Sequence, residues 1–309
     1  MRIGRIIIFS LLLIGLASNS NAYLLLKKDK EIRHSFFVAG PQFTGIIDED
    51  GKVAWDSGKA GARDGFVLPN GNVLICWADE VLEYDQDKKV IFTFKRREPE
   101  NELGTVVRLE NGNTLITESG KKPELLEVDA SGNIVLAVPL KPETDNIHMQ
   151  TRMARKLDNG NYLVPHLLAF KVKEYTPKGE VVNEIITDRE ELGGRAEENW
   201  PFTAIKLKNG NVLINLTHGN KTIEVNEAGE IVWKLSNDDF DGNPFQDPCG
   251  AQRLPNGNTV IASYGAKEGI KLFEVTRKKE MVWKYEGYKV HHFQILTTNG
   301  KPLKGAPLK

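Results

Sequence analysis

Apolar and polar residues alternate with a period of two through most of the chain, and one short motif interrupts the alternation at regular intervals. "LPNGNVLI" (68–75), "LENGNTLI" (109–116), "LDNGNYLV" (157–164), "LKNGNVLI" (207–214) and "LPNGNTVI" (254–261) are five copies of one unit. Their glycines fall at 71, 112, 160, 210 and 257, a spacing of 41 to 50 residues. Period-two alternation sends successive side chains to opposite faces of a strand. Asn-Gly between two such runs signals a tight hairpin, for which a type I′ turn with positive φ at both central residues is the expectation. A second hairpin follows most copies, in "LLEVDASGNIVLAV" (125–138), "VKEYTPKGEVVNEI" (172–185), "TIEVNEAGEIVWKL" (222–235) and "LFEVTRKKEMVWKY" (272–285). Two hairpins make four antiparallel strands, and a four-stranded repeat of this length is a propeller blade.

Five units are complete and a sixth is split between the ends of the chain. "HHFQILTTNG" (291–300) carries only a first strand and its turn, whereas "SFFVAGPQFTGIIDEDGKVAWD" (35–56) carries only the later strands. Joined, they close a ring with no unpaired blade edge. The pattern predicts an all-β, six-bladed β-propeller of four-stranded antiparallel blades, the last closed by N- and C-terminal strands.

The first 22 residues are set apart as an expected signal peptide: Arg2 and Arg5, an apolar run over 6–16, and the small-residue site "SNA" at 20–22. The run is too short to span a bilayer, so an exported, periplasmic or secreted chain with no membrane insertion is expected, with one propeller domain over 23–309. Without Arg2 and Arg5, 39 basic side chains face 42 acidic ones. So even a balance offers nothing to nucleic acid, and the chain is expected to be a monomer. Cys76 and Cys249, the only two cysteines, make no disulfide framework and read as buried thiols.

Function is sought on the face away from the Asn-Gly turns, because the connections there are long and variable. Alignment on the first Asn of each pair places Leu68, Leu109, Leu157, Leu207, Leu254 and Thr297 two residues before it. Gly65, Val106, Ala154, Ala204, Ala251 and Gln294 stand five before it. Both sets read as structural layers. Seven before it stand Arg63, Gly104, Arg152, Phe202, Cys249 and His292, a layer that has gained charge and that should line the channel mouth. Five of the six histidines (His148, His166, His218, His291 and His292) map to this face and His34 elsewhere. Tyr264, Lys267 and Trp200 join them. Strand alternation favours His292 over His291 as the one that points inward.

These side chains suit proton abstraction next to a carboxylate. Arg63 and Arg152 would grip the carboxylate of a uronate, a neutral histidine (His148 or His292) would take the α-hydrogen, and Tyr264 would protonate the leaving oxygen, or the reverse. His166, His218, His291, Lys267 and Trp200 are the expected substrate contacts. No cofactor is expected. A transition metal on the histidines is the weaker alternative, since no spacing fixes its geometry, and "NDDFDG" (237–242) lacks the glutamate that would complete a calcium loop. A glycan-binding or scaffolding propeller without catalysis accounts for the same residues.

Trp55, Trp233 and Trp283 end their strands in "KVAW", "EIVW" and "EMVW". With "LPNGNVLI" repeated, these motifs resemble the secreted PQQ-like and arylsulfotransferase-like six-bladed propellers, which implies tryptophans that dock one blade on the next. The arylsulfotransferase resemblance implies a histidine nucleophile, for which His148, His291 or His292 with Arg152 would serve. The short secreted form is also similar to propellers of marine polysaccharide degraders. That likeness implies a carbon-oxygen lyase on acidic oligosaccharides such as ulvan fragments, for example a dehydratase forming an unsaturated uronic acid.

Overall fold

The computed structural model describes residues 31–303; the expected leader over 1–22 lies outside them. Six antiparallel sheets form the blades. Blade 1 runs Asp64–Val67, Val73–Cys76, Glu80–Tyr84 and Val90–Lys95; blade 2 runs Glu102–Arg108, Thr114–Ser119, Glu124–Val128 and Ile134–Pro139. Blade 3 is Arg155–Lys156, Tyr162–His166, Lys171–Tyr175 and Val181–Ile186, and blade 4 is Asn199–Lys206, Val212–His218, Lys221–Val225 and Ile231–Ser236. Pro248–Arg253, Thr259–Ser263, Leu272–Val275 and Met281–Tyr285 make blade 5. Blade 6 takes its first strand, His292–Thr298, from the C-terminal side and the other three, His34–Ala39, Thr44–Ile47 and Val53–Asp56, from the N-terminal side. Ala39 pairs with His292 and Phe37 with Gln294, so the ring is closed by backbone hydrogen bonds as the split repeat predicts.

The turns differ in one respect from the expectation. In all five complete repeats only the glycine takes positive φ, from 84° at Gly71 to 88° at Gly257, and the asparagine before it does not. Gly71 N–H donates to Leu68 O (2.9 Å) and Leu68 N–H to Asn72 O (2.8 Å), and the other repeats match. This is the three-residue hairpin in which a left-handed glycine closes a type I turn as a bulge. Only the final pair, Asn299 (φ 50°) and Gly300 (φ 75°), has both residues positive.

The second asparagine of each "NGN" has its own work. Asn72, Asn113, Asn161, Asn211 and Asn258 donate through Nδ2 to Glu83, Glu127, Glu174, Glu224 and Glu274 on the third strand of the same blade, at 2.6–3.4 Å. Four of these carboxylates also take a cation or imidazole from the next blade: Arg108 on Glu83, Lys156 on Glu127, Arg253 on Glu224 (2.9 Å) and His34 on Glu274 (2.7 Å). The turn motif thus anchors a polar belt that ties blade to blade around the Asn-Gly face. Apolar contact supplies the rest. Trp283 meets His34 and Phe36 edge-on, Trp55 meets Tyr84, and Trp233 lies under the Arg253 and Arg277 guanidiniums, so each tryptophan docks on the following blade. Cys76 and Cys249 are buried thiols. No helix among the described residues is long and apolar enough to cross a membrane.

Candidate functional site

On the face opposite the belt the N-terminal ends of first strands, with the connections beside them, surround a cavity of about 310 Å³. Its wall includes Arg63, His148, Arg152, Trp200, Phe202, His218, Asp247, Cys249, Tyr264 and His291. Arg63, Arg152, Phe202 and Cys249 are four members of the layer seven residues before the asparagine. Alternation alone would not bring them all to the cavity. Strand register slips by one residue between Leu103 and Thr105, Pro201 and Thr203, and Pro248 and Ala251, and Met153 takes a left-handed φ of 33°. A bulge re-aims a side chain in this way.

Blade 6 has no slip at that end of its first strand, and the consequence corrects the sequence reading. His291 lines the cavity, whereas His292 is buried beneath it at 4% exposure, 3.3 Å from Asp64 and edge-on to Phe66. His166 also lies outside the cavity. It is fully buried, with Nδ1 toward Gln150 O (3.1 Å) and Nε2 toward the Tyr175 hydroxyl (2.8 Å), and burial pushes it down to about 3. It braces the loop that carries His148. Lys267 is exposed and is not part of the cavity wall, and His34 belongs to the belt.

The site's electrostatics follow from two guanidiniums with unequal partners. Arg63 Nη1 donates to Glu102 Oε2 (2.8 Å) and Leu103 O (3.1 Å). Arg152, 3% exposed, donates to Thr151 O (2.7 Å) and His148 O, and among the described residues it has no carboxylate within ion-pair distance. Burial, and then repulsion from Arg63, lowers it to about 10, so it stays charged at neutral pH. A buried cation satisfied only by carbonyls is a site for an incoming anion.

His291 is held as a neutral imidazole. Its Nδ1–H donates to Arg63 O (2.7 Å), which leaves Nε2 as the lone-pair nitrogen. Phe202 and Tyr264 contact its ring edge-on, at centroid distances of 4.9 and 5.2 Å. Burial pushes it to about 3, with Arg152, Arg63 and His292 adding repulsion. Burial moves Tyr264 the other way, so its hydroxyl keeps its proton. His148 Nδ1 pairs with Glu102 Oε2 (3.0 Å), and hydrogen bonds from His148 and Arg63 hold Glu102 down at about 2. At the rim His218 stacks on Trp200 (4.1 Å between centroids) and meets Glu198 (3.0 Å) through Nδ1, while its backbone N–H reaches Asp247 (3.2 Å). Glu198 and Asp247 escape a sequence reading that aligns strand positions, because they lie in the connections, and Glu102 escapes it at the very start of its strand, beyond the aligned layers. Among the described residues no group of three or more His, Cys, Asp or Glu could hold a metal ion.

Comparison with known proteins agrees with this architecture. A protein of unknown function from Bacteroides caccae is 20% identical, covers 88% of this chain and 100% of its own, and superposes with a TM-score of 0.74. A catalytically inactive variant of virginiamycin B lyase from Staphylococcus aureus, bound to quinupristin, is 12% identical over 87% of this chain and 93% of its own, with a TM-score of 0.59. The extracellular domain of a one-component system of B. thetaiotaomicron is also 12% identical, over 86% of this chain and 37% of its own, at 0.53. At these identities the likeness is one of fold. No curated protein matches the chain. The sequence profile of the Mal s 1 allergenic protein-like family matches residues 12–256, and the chain belongs to that family.

Proposed function

We propose that the protein is a carbon-oxygen lyase that eliminates a leaving group from a uronate-bearing oligosaccharide such as an ulvan fragment. The observation that carries the reading is the neutral His291, with its Nε2 lone pair available in a cavity that also holds the uncompensated Arg152 guanidinium. Arg152, with Arg63, receives the substrate carboxylate and acidifies the adjacent C–H. His291 Nε2 takes that hydrogen as a proton. The C–H electron pair becomes the carbon-carbon double bond as the bond to the β-oxygen breaks, and that oxygen takes the proton of Tyr264. His148, set by Glu102, stands beside Arg152 as a second proton donor to the leaving group. A sugar ring also fits the rim, where the Trp200 and His218 stack offers an aromatic face and Asp247 and Glu198 offer acceptors for hydroxyls. Two of the solved relatives bear on the reading in a general way: one is a lyase, and another is an extracellular domain, consistent with export.

Incubation with a panel of uronate oligosaccharides, followed by ultraviolet absorbance of the conjugated unsaturated uronate, tests the proposal. Activity on at least one substrate, with a His291→Gln variant slower by about 10²- to 10⁴-fold, is the expected result for loss of a general base. Absence of the chromophore with every member of the panel removes the reading and leaves a propeller that only binds acidic glycans.

A further inference from the structure

His291 presents a contradiction if it is the base. A buried imidazole packed against Phe202 and Tyr264, with the positive charges of Arg152 and Arg63 adding repulsion, has little affinity for a proton, and a weak base abstracts protons poorly. The groups around it make the contradiction specific. From blade 1 come Arg63, whose carbonyl accepts the hydrogen bond from Nδ1–H, and, behind His292, Asp64. Blade 3 contributes Arg152, stacked over Phe202, which in turn touches the His291 ring. Blade 5 contributes the Tyr264 hydroxyl and the Cys249 thiol, with the Lys289 ammonium over the Tyr264 ring. His292 is the neighbour in sequence. Of the nearby acids, Glu102 is already engaged by Arg63 and His148, Asp64 by Arg155 as well as His292, and Asp247 at the rim by His218.

The missing charge is therefore the ligand's. We propose that His291 is made basic by its own substrate: a carboxylate seated against Arg152 and Arg63 raises the affinity of Nε2 for a proton, so that the base is assembled only when an acid occupies the cavity. The inference rests on the reading of the cavity as a carboxylate site. In the empty cavity the imidazole titrates at about 3. An anion held by the guanidiniums offsets the repulsion that Arg152 and Arg63 supply, and burial with the lesser repulsion from His292 is what then opposes protonation. Proton uptake and anion binding are linked by thermodynamic necessity, so each strengthens the other.

The probe is cyclohexanecarboxylate, a ring acid with no β-oxygen to expel. Calorimetric titration in two mildly acidic, phosphate-free buffers of different ionisation enthalpy, MES and Bis-Tris, gives the protons taken up on binding. Wild-type protein is expected to take up a substantial fraction of one proton, and affinity should weaken by up to about tenfold per pH unit as that uptake is lost. His291→Gln should bind without uptake. Nitrogen-15 shifts of the His291 ring in the wild-type protein, followed as the probe is added at the same pH, supply a reading that needs no variant. Absence of binding, uptake of zero, uptake that persists in His291→Gln, or a ring that stays neutral at saturation each overturn the inference. The lyase reading fails separately: uptake without elimination of any uronate removes the chemistry and leaves the coupling. Where elimination does occur, the acid limb of kcat should lie above that of kcat/KM, since the first reports the occupied site and the second the empty one.

Discussion

At the residue scale the site is organised by what its charges lack. Arg152 is buried and charged with only carbonyls for hydrogen-bond partners, so its contribution appears when an anion arrives. A charge-assisted hydrogen bond contributes about 1.5–3 kcal/mol. Arg152→Gln should therefore weaken binding of a uronate by about 10- to 100-fold, measured by calorimetry, while Lys267→Gln, an exposed residue outside the cavity wall, should leave it unchanged. The same scale shows where sequence reasoning stops. Counting back from Asn-Gly finds Phe202 and Cys249 where blades 4 and 5 slip register, Arg152 beside the left-handed Met153, and Arg63 in blade 1, whose first strand pairs without a slip. In blade 6 the same count gives His292, whereas His291 lines the cavity, and one residue of register exchanges the two faces of a strand. A bulge leaves no mark in the sequence that alternation can detect.

At the element scale the hairpin turns are legible in the sequence and their type is not. Asn-Gly fixes the place of the turn, and the "NGN" triplet fixes more than that, since its second asparagine holds the belt glutamate. The glycines at 112 and 160 have φ of 87° and open space where a Cβ would sit. Gly112→Ala meets no clash, so its cost is conformational, about 1 kcal/mol in chemical denaturation. The belt gives a sharper contrast. Glu224 is 1% exposed and serves Asn211, Arg253 and Arg277, whereas Glu174 serves Asn159 and Asn161 and has no cation within ion-pair distance among the described residues. Glu224→Gln strands a largely buried arginine and should cost about 3–5 kcal/mol. Glu174→Gln keeps an amide acceptor for both asparagines and should cost about 1 kcal/mol or less. Equal losses in urea denaturation would show that the belt's cations do not bind the blades together.

At the scale of the whole molecule the ring and its buried titratable groups respond to acid in one direction. His166 and His291 titrate at about 3 in the folded state against an ordinary 6.5. The unfolded chain binds those protons first, so the stability that depends on neutral imidazoles is present above the ordinary value and is lost progressively as pH falls toward about 3. Glu102 and Glu224 are held at about 2 against an ordinary 4.5. Their contribution is likewise present above the ordinary value and drains away as pH falls toward about 2. The two windows are staggered, with the histidines acting first. Because blade 6 joins the two ends of the chain through His292–Thr298 and His34–Ala39, the loss should appear as one cooperative opening of the ring. Urea midpoints measured downward from neutral pH should begin to fall in the histidine window. In a His166→Gln, His291→Gln double variant the early fall should vanish while the later, carboxylate fall remains. A double variant that loses stability on the same curve as the wild type would show that the buried imidazoles are not what acid attacks first.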